Sequence, residues 1–363
     1  MRAAILRQGR LLVDSVPEPE PAAGEVLVGT RACGICGSDL HAAVHARDFA
    51  ANSDGLFGLD PSRDVVMGHE FCAEILDHGP ATTRRFAPGT LVCSVPWTRH
   101  AGQRENVGYS NVVPGGYGEH MVLTEELLLP VPNGLSARAA ALTEPMAVGV
   151  HAVAKARLTP DDVALVIGCG PVGLAVLSAL RLAGVRPIVA ADFSPARRRL
   201  AEALGADLVI DPGVHSPYES WRELAAVTAS GSQVPVNPLS GEPELRPGVF
   251  FECVGVPGVL DQMMAGARHG CRVVVVGVCM QADTIHPMLA ITRELNLQFV
   301  LAYTVDEFAR TLRHIAEGEL SVEPLITATV DIAEVPAAFT ALGQPADHCK
   351  VMVEPGGVTG AFA

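Results

Sequence analysis

The sequence predicts an α/β protein: a doubly wound parallel sheet joined to a second, mostly β domain. Three observations predict it. A Gly-rich turn, Gly168-Cys-Gly170-Pro171-Val172-Gly173, directly follows the apolar run VALVI and opens an amphipathic stretch. Beyond it, unbroken apolar runs alternate with helical patterns, as expected for strands buried on both faces of a parallel sheet. Up to about residue 145 the chain instead shows short alternating segments divided by turns.

In chain order, LLVDSVPEPEPAAGEVLVGTRA alternates, breaks at a Pro-rich turn and alternates again. FCAEILDHG, GTLVCSVPW and GGYGEHMVLTEELLLPVP continue that texture, and the Ala-rich LSARAAALTEPMAVGVHAVAKA changes it to helix. From Val163 the order is strand VALVI, helix GPVGLAVLSALRLAG, strand PIVAAD, helix SPARRRLAEALGA capped by Ser194, and strand DLVID. VFFECVG, CRVVVVGV and LQFVLAY read as further buried strands. This domain is expected to occupy residues 150–302. The polar, Pro/Gly-rich stretch 226–248 interrupts the rhythm and reads as a surface loop or as a loop that contacts a partner or substrate.

Composition narrows the function. A chain of 363 residues suits two domains, and 49% hydrophobic against 18% charged residues suits large cores. The net charge of −14 argues against nucleic acid and against an anionic membrane surface. No apolar run approaches the ~20 residues of a membrane span. The charged start MRAAILRQGRLLVDS lacks the apolar stretch of a signal peptide, so a cytoplasmic protein is expected. Nine cysteines at irregular spacing do not form a secreted disulfide framework, and Cys72, Cys253, Cys271 and Cys279 lie in or beside apolar runs as ordinary thiols.

A Gly-x-Gly-x-x-Gly between strand and helix carries a mechanism. Gly168 permits the tight turn, Gly170 lets backbone approach a pyrophosphate, and Gly173 allows helix to pack on strand, while the helix N-terminus opening at Pro171 and Val172 favours negative charge. Asp192 ends the second strand, 19 residues after Gly173, where a carboxylate can accept from both adenosine ribose hydroxyls and repel a 2′-phosphate. NAD is therefore expected over NADP. Arg197, Arg198 and Arg199 soften that expectation, although they fall a turn into the next helix.

CGICGSDLH at 33–41 and GHE at 68–70, followed by the EP segment, the dinucleotide turn and a C-terminal KVMVEP, together resemble the zinc-containing medium-chain dehydrogenase/reductase family of alcohol and polyol dehydrogenases. The resemblance spans essentially the whole chain. It implies a GroES-like catalytic domain from residues 1–149 and 303–363 around a Rossmann domain. It also implies reversible oxidation of a small-molecule alcohol to an aldehyde or ketone with NAD, and a homodimer or homotetramer. A catalytic zinc takes three protein ligands and leaves a fourth position open. Cys36 and His69 match two family ligands. Glu144 in LTEPMAVGVHA matches the variable third, and Glu70 beside His69 is the second candidate. Asp39 resembles the carboxylate that orients the ligand histidine, Ser38 the hydroxyl that meets the substrate oxygen, and His41 the end of the proton relay. Cys33 reads as a packed thiol, and His45, His78, His100, His120 and His151 as surface or structural residues.

The sequence departs from the family in one place. Relatives carry a second zinc on four closely spaced cysteines, whereas TRHAGQRENVGYSNVVPGG contains none, so one catalytic zinc per chain and a shortened, mobile lobe are expected. Phe49, Leu56 and Phe57 in the loop between the ligand motifs, with Trp97, suggest an apolar substrate wall or simply local packing. The rivals are a zinc-free enone or quinone reductase of the same superfamily and an inactive cofactor-binding module.

Overall fold

The computed structural model describes residues 1–45, 59–227, 236, 241, 243–343 and 348–357. The chain divides into two compact units, Met1–Pro145 with Val305–Ala363, and Met146–Thr304.

In the first unit the strand Glu25–Gly34 is the centre of a seven-stranded sheet, paired antiparallel with Glu70–His78, His120–Thr124 and Lys350–Val353. The last of these brings the C-terminal segment back to the first domain and continues, in parallel, into Ile326–Val330. Its alternating sequence buries Val26, Val28 and Ala32, and toward its end Cys33 is inaccessible as well. The register sets Gly34 opposite Glu70 and Cys33 opposite Phe71. That pairing brings the CGICGSDLH segment beside the GHE segment.

In the second unit six parallel strands follow the spatial order Leu208–Ile210, Ile188–Ala191, Val163–Ile167, Gly248–Glu252, Arg272–Val275, Asn296–Phe299. The sheet order reverses direction next to Val163–Ile167, which places a crevice at the C-terminal ends of the strands there. Val163, Leu165, Val189, Phe250 and Val273 pack with Trp221, whose Nε1 donates to the Val163 carbonyl at 3.0 Å. Ser194 caps the helix Pro195–Ala203 through its side chain, as its sequence position predicts.

One strand differs from expectation. The apolar run LQFVLAY predicts a strand buried on both faces, but Asn296–Phe299 is the sheet edge, with Phe299 64% and Leu301 59% exposed. Apolar composition marked a strand correctly; only the strand order reveals that one side has no neighbour. The segment expected to form a shortened lobe contains a hairpin, Trp97–His100 paired with Gln103–Asn106. Thr98 of this hairpin is buried, and its hydroxyl bonds Glu25 and Thr124.

Candidate active site

Cys36 caps the helix Gly37–Val44 immediately after the central strand. Its backbone N–H donates to Asp39 Oδ2 at 3.1 Å, which fixes the first turn. His69 enters from the turn at Gly68, whose φ of +98° favours glycine and whose missing side chain leaves room for the Tyr117 ring. One ligand atom each from Cys36, His69 and Glu70 lies within 4.8 Å of the others, and among the described residues this is the one group of three able to hold a metal ion.

The donor set fits zinc. Thiolate, imidazole and carboxylate at about 2.0–2.3 Å from a tetrahedral zinc stand roughly 3 to 4 Å from one another. The electrostatics also suit a dication. Burial pulls the His69 imidazole down, but Asp39 and Cys36 outweigh it and hold it well above its usual value. His69 Nδ1 is 3.2 Å from Asp39 Oδ1, an ion-pair distance, though its N–H does not point along a hydrogen bond.

Glu70 rather than Glu144 joins Cys36 and His69. Glu144 is buried in the first turn of the helix Thr143–Lys155 and lies outside the group of three. Sequence position favoured Glu144; strand register favours Glu70, because the residue paired with Gly34 is carried directly beside Cys36. Gly34 makes this possible, since a Cβ there would stand 2.0 Å from Glu70 Oε2. The Glu70 carboxylate is completely buried and receives Lys350 Nζ at 2.7 Å on both oxygens; Nζ also donates to the Ile35 carbonyl at 3.1 Å. Burial alone would lower the Lys350 ammonium, but Glu70 and Cys36 raise it above its ordinary value. Sequence reasoning missed this lysine, and its signal was a charge inside the apolar strand CKVMV.

Asp39 collects a network. Tyr117 donates to its Oδ2 at 2.5 Å, and the Tyr109 hydroxyl is 3.0 Å from its Oδ1. Burial would raise the Asp39 carboxyl, yet His69, Tyr117 and the Cys36 amide lower it overall. Burial and Asp39 push both tyrosines well above the usual phenol range, so they remain hydrogen-bond donors. Neither tyrosine was singled out from sequence. Ser38 Oγ is 3.1 Å from Cys36 Sγ and 2.9 Å from Tyr109 Oη. His41 lies half-buried on the same helix as Ser38, with burial and His45 pushing its imidazole below the ordinary value.

In the second unit Gly168 has φ +90°, and a Cβ on Gly173 would stand 1.8 Å from the Gly168 carbonyl oxygen. Gly170 caps the helix Pro171–Leu182, with Pro171 and Val172 in its first turn. Asp192 spans this loop: its Oδ2 accepts from Cys169 N and its Oδ1 from Ser194 N, both at 2.7 Å. Arg197 Nη1 lies 4.0 Å from Asp192 Oδ2, nearer than its position a turn into the helix suggested. Arg198 is occupied by Asp211 and by the carbonyls of Asp192 and Phe193.

Three further histidines are held by partners away from this cluster. His78 meets the Phe86 carbonyl, His100 meets Glu25 and His120 meets Glu18. Cys33 is fully buried against Gly116, and Cys93 donates to the Ala140 carbonyl. Trp97 is partly buried beneath the Arg104 guanidinium. Phe49, Leu56, Phe57 and most of 226–248 lie outside the described residues.

These two sites have counterparts among known proteins. The family described as zinc-binding dehydrogenase matches residues 171–317, and the alcohol dehydrogenase GroES-like domain matches residues 22–133. The chain is 30% identical over 356 residues to (R,R)-butanediol dehydrogenase of Bacillus subtilis, covering 96% of this chain and 97% of that one. It is 26% identical over 345 residues to sorbitol dehydrogenase of Bos taurus, covering 91% and 89%. The crystal structure of 2R,3R-butanediol dehydrogenase from Bacillus subtilis superimposes with a TM-score of 0.79 at 28% identity, over 98% and 99% of the two chains. The chain belongs to the zinc-containing medium-chain dehydrogenase/reductase family. It is a zinc-dependent oxidoreductase of the alcohol and polyol class.

Proposed function

We propose that this chain interconverts a small alcohol or vicinal diol and its carbonyl with NAD(H), using Cys36, His69 and Glu70 as zinc ligands. The observation that carries the reading is the convergence of those three donors, with the Ser38 hydroxyl 3.1 Å from Cys36 Sγ. Zinc, when bound, supplies Lewis acidity that favours the alkoxide form of an alcohol. Cys36, His69 and Glu70 hold it, and Asp39 orients the His69 ring. Ser38 accepts the alcohol proton, and His41, neutral near pH 7 because its pKa is lowered, takes it on toward solvent. The nicotinamide, when bound, would supply the hydride acceptor that turns the alcohol into an aldehyde or ketone, and the Gly168–Gly173 loop with Asp192 would hold the cofactor.

The loop Gly168–Gly173 holds the pyrophosphate and Asp192 the adenosine ribose, which favours NAD. Screening alcohols and diols with NAD by NADH absorbance tests the activity; faster turnover with NADP would overturn the cofactor choice. The exposed edge strand Asn296–Phe299 and the exposed Met288 and Ile291 of the helix Pro287–Thr292 suit pairing with a second copy into a homodimer. Light scattering showing only monomers at micromolar concentration would remove that reading.

The third ligand is tested by dialysis against a mild chelator. Glu70→Ala should lose zinc under conditions where wild type keeps it, and Glu144→Ala should retain most of it. The reverse pattern would move the assignment to Glu144.

A further inference from the structure

Residues 115–117 clasp the stretch of backbone that leads into His69. Gly115 N donates to the Val66 carbonyl at 2.9 Å, Gly116 N to that of Gly68 at 2.8 Å and Tyr117 N to that of Met67 at 2.9 Å. The Tyr117 ring fills the space that Gly68 leaves open, where a Cβ would stand 2.7 Å from Tyr117 Cδ1. The side chain is completely buried, and its ring meets that of Phe339 edge-on with centroids 6.0 Å apart. Backbone and ring therefore belong to the His69 segment. The hydroxyl crosses to the other ligand segment, where it donates to Asp39 Oδ2 at 2.5 Å.

A phenol has one hydrogen to give. Two acceptors lie within its reach, Asp39 Oδ2 and, at 3.3 Å, the Gly34 carbonyl. The carboxylate is both nearer and charged, and a hydrogen bond to a charged group is about twice as strong as a neutral one. The Cys36 amide donates to the same oxygen at 3.1 Å. With Oδ2 engaged by these two donors, Oδ1 is the oxygen that faces His69 Nδ1 at 3.2 Å and the Tyr109 hydroxyl at 3.0 Å. The Cys36 amide lies in the same helical turn as Asp39, so it cannot fix that turn relative to His69. Tyr117 can, because it is bonded to both segments.

We propose that Tyr117 is a positioning residue, whose hydroxyl ties the Cys36–Asp39 turn to the His69 segment and so sets the spacing of two zinc ligands. This rests on the reading of Cys36, His69 and Glu70 as ligands with Asp39 orienting His69, and the experiment separates the two. Zinc-loaded wild type, Tyr117→Phe, Phe339→Leu, Asp39→Asn and His69→Ala are compared for thermal midpoint and for the rate of zinc release into a chelator. The first three are also compared after cobalt(II) substitution, because the visible absorption of that ion reports the arrangement of its donor atoms. Tyr117→Phe keeps the ring in the space beside Gly68 and removes only the tie. It should release zinc roughly tenfold faster, the scale of losses among groups that orient metal ligands, and shift the cobalt absorption. Phe339→Leu loosens the packing of the same ring without touching the hydroxyl. It should lower the midpoint and leave zinc release and cobalt absorption as in wild type. Asp39→Asn should release zinc at least as fast as Tyr117→Phe, and His69→Ala should fail to hold it. Wild-type release from Tyr117→Phe would overturn the positioning role while leaving the ligands in place. Equally fast release from Phe339→Leu, or faster release from Tyr117→Phe with an unshifted cobalt absorption, would reduce the tyrosine to a packing residue. Unchanged release from Asp39→Asn would overturn the Asp39 reading, and zinc kept by His69→Ala the ligand assignment, each taking the Tyr117 role with it.

Discussion

The dinucleotide loop and the metal cluster are built on opposite plans. From Gly168 to Asp192 the loop is one contiguous stretch, and its decisive contacts are backbone ones: Gly173 against the Gly168 carbonyl, Cys169 N to Asp192. The metal cluster draws Cys36 to Asp39, His69 with Glu70, Tyr109, Tyr117 and Lys350 from separate parts of the chain, and the Glu70–Lys350 bond spans 280 positions. Buried charges there are mutually compensated. A loss in the loop should therefore stay local, whereas a loss in the cluster should unbalance its partners.

Lys350→Met gives the largest expected effect. It leaves Glu70 charged, buried and unpaired, and breaking a buried ion pair in this way costs about 3–5 kcal/mol. Zinc bound to Glu70 would replace the lost ammonium as the compensating charge. Urea unfolding should therefore show a larger loss in chelator-treated protein than in zinc-loaded protein. Equal losses in the two would mean that Glu70 never meets the metal. Metal analysis should find one zinc per chain, and two would contradict the replacement of the cysteine lobe by the hairpin.

The loop should break differently at its two inner glycines. Gly173→Ala forces a methyl into the Gly168 carbonyl, and overpacking of this kind costs about 1–3 kcal/mol or more. Gly170, at φ −70°, meets only Arg197 Nη1 at 4.0 Å, so Gly170→Ala should leave the unfolding midpoint unchanged. Its methyl would occupy the approach of a pyrophosphate, and the KM for NAD should rise roughly tenfold or more. A drop in stability comparable to that of Gly173→Ala would show that Gly170 serves the fold instead.

The same contrast explains what could be read from sequence. Gly168 to Asp192 was legible because strand, turn and helix follow one another without long-range information. Cys36 and His69 were legible through motif resemblance. The choice between Glu70 and Glu144 was not, because either carboxylate suits zinc and only the register Gly34 to Glu70 brings one of them to Cys36. Tyr109 and Tyr117 occupy a turn-rich segment with no periodicity to flag them. Lys350 did carry a signal, a charge in a buried strand, but not the identity of a partner so distant in sequence. LQFVLAY shows the limit from the other side: hydrophobicity marks a strand, while only neighbours decide whether both its faces are covered.

The smallest effect is expected at Asp192, where loop and cofactor choice meet. Each of its oxygens already accepts a backbone N–H at 2.7 Å, and an ionised carboxylate offers about four lone-pair sites, so one per oxygen remains for ribose hydroxyls. Hydrogen bonds to a charged group contribute about 1.5–3 kcal/mol. Asp192→Ala should therefore raise the KM for NAD roughly 10- to 100-fold with little change in kcat. NADP should suffer less, because the repelling carboxylate is gone and Arg197, 4.0 Å from it, is freed to meet a 2′-phosphate. The ratio of NADP to NAD efficiency should rise in Asp192→Ala and fall back when Arg197→Ala is added. If Arg197→Ala leaves that ratio unchanged, the guanidinium does not reach the phosphate, and electrostatic repulsion by Asp192 alone sets the preference.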